Sequence, residues 1–122
     1  MNYKTTEAHF ATFIKYTRKT LDFLGLKAWC VHFVHPELET PKNVAEISYN
    51  LDNRFVAIGF NTVIVYRPTN DFIKRYAIHE CVHLLLAPIS RTVTSNGTID
   101  CDSQHEHAIV RTLENILVEI VR

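Results

Sequence analysis

The positions Phe10, Phe13, Ile14, Thr17, Leu21 and Leu24 recur at steps of three and four, while Lys15, Arg18, Lys19 and Asp22 fall between them. That is the pattern of an amphipathic helix over residues 7–24. Thr5 or Thr6 can cap its start, and Gly25 can supply the left-handed stop. Residues 28–34 then read as a strand ended by His35-Pro36, and residues 37–43, which carry Pro41, as a loop. Residues 45–49 alternate small or apolar with polar side chains. Residues 51–54 carry turn chemistry, and residues 55–60 form the return strand. Residues 63–66 make a short further strand before Arg67-Pro68.

A second helix starts at Thr69 or Asn70, with Asp71 in the first turn where the helix dipole favours negative charge. It is expected to stop at residue 87, just before Pro88. Its apolar residues run nearly all round, which predicts a helix buried in the middle of the domain. Residues 89–102 are polar, contain Asn96-Gly97 and read as a loop. Ser103 caps a last helix, with Glu106 at capping-box spacing. That helix runs to about residue 121, with Ile109, Leu113, Ile116 and Ile120 on the face expected to meet the core. The order α-β-β-β-α-α predicts one α+β domain over residues 1–122: an N-terminal helix, a small three- to four-stranded sheet, a buried central helix and a C-terminal helix.

Composition narrows the function classes. The chain has 122 residues, 47% of them hydrophobic and 21% charged, which is enough for a single core. Thirteen basic and thirteen acidic residues cancel, so the overall basic surplus of a nucleic-acid binder is missing and no nucleic-acid partner is expected. No apolar run approaches the roughly 20 residues of a membrane span, and residues 1–5 do not open a signal peptide. Cys30, Cys81 and Cys101 are odd in number and form no CxxC. They read as reduced thiols in a cytoplasmic setting.

The chemistry lies in the central helix, at His79-Glu80-Cys81-Val82-His83. This is HExxH, a pattern that chance produces roughly 0.025 times in a chain of this composition. Two histidines four apart share one helical face and can chelate one metal ion, which implies zinc. Glu80 lies beside them and can take a proton from a zinc-bound water. The competing reading makes His79 and His83 core residues bonded to backbone, with Glu80 paired to Arg75. Three ionisable groups on an apolar helix weigh against it.

A catalytic zinc site takes three protein ligands and keeps one position open. Glu106 ranks first as the third ligand because it shares a face with Ile109, Val110 and Leu113. His107 ranks second, with His105, Asp102, Asp100 and Cys101 behind. Cys81 is turned about 200° from both motif histidines and reads as a packing thiol. His32 and His35 lack metal spacing to each other, and Tyr76 reaches at most the edge of the site.

The chain resembles the small HExxH metallopeptidase-like proteins often encoded by phages and prophages, minimal zincins related in layout to the ImmA/IrrE and SprT-like groups. The resemblance rests on Ala45-Glu46-Ile47-Ser48-Tyr49 with Arg54-Phe55-Val56-Ala57-Ile58, on the HExxH and the leucines after it, and on the run from Glu106 to Glu114. It implies a zincin-like fold in which His79, His83 and Glu106 hold one zinc ion and Glu80 is the general base. It implies a zinc-dependent hydrolase, a peptidase working on a protein or peptide in the cytoplasm, of the host if phage-encoded. The substrate is then expected to lie along an exposed sheet edge. Residues 44–49 and 55–60 both remain open as that edge. The alternative is a non-catalytic zinc-containing regulatory or protein-binding module. Glu80 speaks against it, because holding metal does not require that carboxylate.

Overall fold

The computed structural model describes residues 1–95 and 103–122, with side chains described over residues 1–89 and 106–122. The first long element is helix α1, Glu7–Phe23. Thr6 caps it reciprocally with His9, its hydroxyl accepting from His9 N at 3.2 Å while His9 Nδ1 accepts from Thr6 N at 3.0 Å. Gly25 follows in the left-handed conformation expected of it, at φ +74°. Phe13, Thr17, Thr20 and Leu21 form the buried face of α1.

One short strand escapes the pattern reading, and the short strand expected over residues 63–66 is present but ends at Ile64. Strand β1, Tyr3–Lys4, pairs antiparallel with strand β5, Val63–Ile64. A two-residue strand carries no legible alternation. The main sheet is mixed, in the order β2-β4-β3. Strand β2 is Cys30–Val34, β3 is Ala45–Asn50 and β4 is Phe55–Phe60. The hairpin β3–β4 is antiparallel with Ile47 opposite Ile58, and β2 runs parallel to β4 with Val31 opposite Val56. The central strand is β4, with Val56, Ile58 and Phe60 fully buried. Strand β3 is therefore an edge.

Helix α2, Asn70–Ser95, continues through Pro88 instead of ending at residue 87. Proline's fixed φ is itself helical, so Pro88 removes one hydrogen bond without forcing the chain out. The loop expected over residues 89–102 is thus helical as far as Ser95, and Asn96-Gly97 lies outside the described residues. Helix α2 has three working faces. Ile73, Ala77, Cys81 and Leu84 enter the core with α1 and the sheet. Ile78 and Val82 meet α3, Ser103–Ile120. The third face carries Tyr76, His79, Glu80 and His83.

The face of α3 is corrected by one residue. Val110, Leu117 and Val121 are buried against α2, while Ile109, Ile116 and Ile120 are about half exposed, at 50%, 53% and 49%. The helix carries two adjacent apolar seams with the same 4-3-4 spacing, 109-113-116-120 and 110-114-117-121. Hydrophobicity favours the first, which holds three isoleucines. The second holds Glu114, and Glu114 has partners on α2. Pairing of a buried carboxylate thus decides the rotation of the helix.

Among the described residues, no helix is long and apolar enough to cross a membrane. The described residues form a small α+β unit of three helices and two small sheets.

Candidate metal centre

The site lies between α2, the start of α3 and the edge strand β3. It opens onto a cleft of about 310 Å³ walled by Val44, Ala45 and Ile47 on one side and by His79, Glu80 and His107 on the other. Asn61 holds the loop that leads into β3. Its side-chain amide is fully buried and all its capacity is used. Oδ1 accepts from Leu38 N at 3.0 Å and Val63 N at 3.2 Å, and Nδ2 donates to Thr40 O at 3.1 Å and Asn43 O at 2.7 Å. The backbone of Asn61 donates to Val44 O at 2.9 Å. One residue thereby ties residues 38–44 to the end of β4 and shapes the cleft wall.

His79 and His83 share a face of α2, as their spacing predicts, and Nε2 of one lies 3.2 Å from Nε2 of the other. Each ring is held from behind by a carboxylate. Nδ1 of His79 is 2.8 Å from Glu114 Oε1, and Nδ1 of His83 is 2.5 Å from Glu106 Oε2. Glu114 also accepts from Arg75 Nη1 at 2.6 Å. In a neutral imidazole, an Nδ1–H given to a carboxylate leaves Nε2 as a bare acceptor. Burial lowers the pKa of His83, against the raising effect of its bond to Glu106. Two such acceptors facing each other are satisfied by a proton or a metal ion between them. A tetrahedral zinc ion with Zn–N bonds of 2.0–2.1 Å sets its ligand nitrogens about 3.3–3.4 Å apart. The observed spacing of the pair fits that group.

His107 completes a group that can hold a metal ion: one ring nitrogen from each of His79, His83 and His107 lies within 4.8 Å of the other two. The His107 ring faces both partners, with centroids 4.9 Å from His83 and 5.7 Å from His79. Glu106, ranked first as a ligand on sequence, sits instead on Nδ1 of His83, the ring nitrogen turned away from His79. This follows from the one-residue rotation of α3, which brings His107 onto the seam of Val110 and Glu114. Asp100, Cys101 and Asp102 lie outside the described residues, as does the side chain of His105.

Glu80 is 5% exposed and lines the cleft. It makes no hydrogen bond or ion pair with any described residue, and Arg75 pairs with Glu114 instead. Burial raises its pKa to about 7, against the lowering effect of His79, with Glu46 adding to the rise. Among the described residues no buried side-chain oxygen or nitrogen lacks a partner, so the Glu80 carboxylate opens onto the cleft. Glu114 behaves oppositely. Burial pushes its pKa up, but hydrogen bonds from His79 and Arg75 outweigh that and hold it below the usual range.

The remaining candidates fall elsewhere. Cys81 is fully buried on the opposite side of α2, with Sγ 3.5 Å from Thr17 O. His35 stacks on Phe10 at 4.6 Å and bonds to Thr5 Oγ1 at 2.7 Å. His32 is exposed on β2. Glu114 is the site residue that pattern reading missed. Its signal was a lone carboxylate seven residues after His107, inside the seam of Val110, Leu117 and Val121.

No protein-family model, curated protein or solved structure matches the chain.

Proposed function

We propose that the protein is a zinc-dependent hydrolase, a small peptidase of zincin-like layout, in which His79, His83 and His107 hold the ion. The observation that carries the proposal is the pair of Nε2 atoms 3.2 Å apart, with a His107 ring nitrogen within 4.8 Å of both rings' ligand atoms and Glu80 lining the same cleft. Of the two candidates for third ligand, the proposal takes His107, and gives Glu106 and Glu114 the work of orienting the rings. Carboxylates behind ligating imidazoles fix the tautomer and raise ligand basicity.

Zinc, when bound, supplies a Lewis acid for the scissile carbonyl and lowers the pKa of a water to about 7. Glu80 takes the proton of the attacking water and passes it to the leaving amine. The edge of β3 borders the cleft, so an extended peptide can pair with it while its carbonyl reaches the histidines. Cys30 and Cys81 are free thiols, in keeping with work in a reducing, cytoplasmic compartment, of a host cell if the gene is carried by a phage.

The test is Glu80→Gln in zinc-loaded protein, assayed by mass spectrometry of a digested peptide library. Zinc content should stay at one per chain while cleavage falls at least about a hundredfold. Cleavage that persists in Glu80→Gln, or a wild type that cleaves nothing when fully loaded, counts against the hydrolase.

A further inference from the structure

A second cleft, of about 280 Å³, adjoins the first. Arg75, Tyr76, His79, Arg111, Glu114 and Asn115 line it, and Tyr76 and His79 line both clefts. Its charge is unbalanced. Glu114 is occupied on both oxygens, by His79 and by Arg75. Arg75 has committed one nitrogen, Nη1, to Glu114 and to Asn115 Oδ1 at 2.9 Å. Arg111 stands one turn before them on α3, is exposed, and meets no acceptor among the described residues. Two guanidinium groups thus face one carboxylate, in a space that continues directly from His79.

We infer that this cleft binds a carboxylate of the substrate, with Arg111 as the fork that receives it. The inference rests on the hydrolase reading of the neighbouring site. An arginine fork matches a carboxylate with two parallel hydrogen bonds and holds it against water better than a lysine. Tyr76 adds an aromatic wall shared with the first cleft. The volume is below that of sites for drug-sized ligands, about 300–1,000 Å³, and suits a single residue. A peptide bond held at the histidines therefore has, just beyond Tyr76, a place for a residue bearing a carboxylate. That group is either the C-terminus of the peptide or an acidic side chain.

The test uses the full chain, zinc-loaded and zinc-free, titrated in NMR shift experiments with three ligands: N-acetyl-Ala-Phe acid, the corresponding amide, and N-acetyl-Ala-Asp amide. One or both carboxylate ligands should bind about three- to fivefold tighter than the first amide, with and without zinc. An ion pair made by an exposed arginine is worth up to about 1 kcal/mol. Which carboxylate ligand gains identifies the terminus or the side chain as the source. Arg111→Gln should abolish the preference and Arg111→Lys should retain part of it. Arg111 is exposed, so both variants keep the fold, which the same spectra check. Equal affinities overturn the inference. So does a preference unchanged in Arg111→Gln, or one seen only with zinc, which would be ligation of the metal itself. Carboxylate preference without any cleavage leaves this cleft standing and removes the hydrolase. Cleavage without the preference does the reverse.

Discussion

Glu114 touches no ion in this account, yet its removal should weaken zinc binding by a calculable amount. Its carboxylate is 9% exposed and bridges Arg75 and His79. In Glu114→Ala, Nδ1 of His79 loses its acceptor and the ring is free to adopt the tautomer that blocks Nε2. Loss of such a supporting partner costs about 10–100-fold in metal affinity, or about 1.4–2.8 kcal/mol. Glu114→Gln keeps an oxygen for Nδ1–H but removes the charge. A hydrogen bond to a charged group exceeds a neutral one by about 1 kcal/mol, so the glutamine variant should lose about fivefold. Arg75→Gln should lose less still, because the guanidinium is 42% exposed and solvent screens it. The assay is competition for zinc against a chelator of known affinity, with thermal melts of the zinc-free variants to show that they fold. The expected order of affinity is wild type, then Arg75→Gln, then Glu114→Gln, then Glu114→Ala. A folded Glu114→Ala that binds zinc within twofold of wild type would refute the reasoning.

Asn61→Ala strands two carbonyls and two N–H groups in the interior, each costing about 1–3 kcal/mol if left unmade. Chemical denaturation should show a loss of at least about 2 kcal/mol, and a loss under 1 would mean the loop relaxes freely. Leu117→Ala should cost about 2–5 kcal/mol as a core truncation, whereas Ile116→Ser should cost under about 1. The opposite order would put α3 back in the register that its hydrophobicity favours. His35 has its pKa lowered, by burial first, with Glu7 opposing and His9 assisting. The unfolded chain therefore takes up a proton that the folded chain resists, and stability falls as pH drops from about 6.5 through the lower folded value. The difference in denaturation midpoint between wild type and His35→Gln should change over that interval and be flat above it. A difference that is flat throughout removes His35 from the acid response.

The elements with strong local signals were legible. Thr6, Gly25, the alternation over residues 45–49 and the turn residues 51–54 set α1 and the β3–β4 hairpin, because caps, turns and pleats are local choices. The HExxH pair was legible for the same reason, since four residues of helix alone bring the rings together. The continuation of α2 through Pro88 was not, because proline's helical φ competes with its missing donor and local pattern does not weigh the two. The face of α3 was not legible either. Its two seams differ by one residue, and the choice between them falls on whether Glu114 finds Arg75 and His79, which lie 39 and 35 residues away in sequence. The proposed third ligand inherits that choice, since the same rotation brings His107 toward the pair while Glu106 meets Nδ1 of His83.

That choice can be read on the ion itself. Zinc-edge X-ray absorption of the full chain, loaded with one equivalent of zinc, counts imidazole ligands directly through their ring scattering. The account predicts tight retention of one zinc per chain with three imidazoles at about 2.0–2.1 Å, falling to two in His107→Ala and staying at three in Glu106→Ala. A spectrum of wild type with only two imidazoles and a carboxylate, or a chain that does not retain zinc, would contradict it.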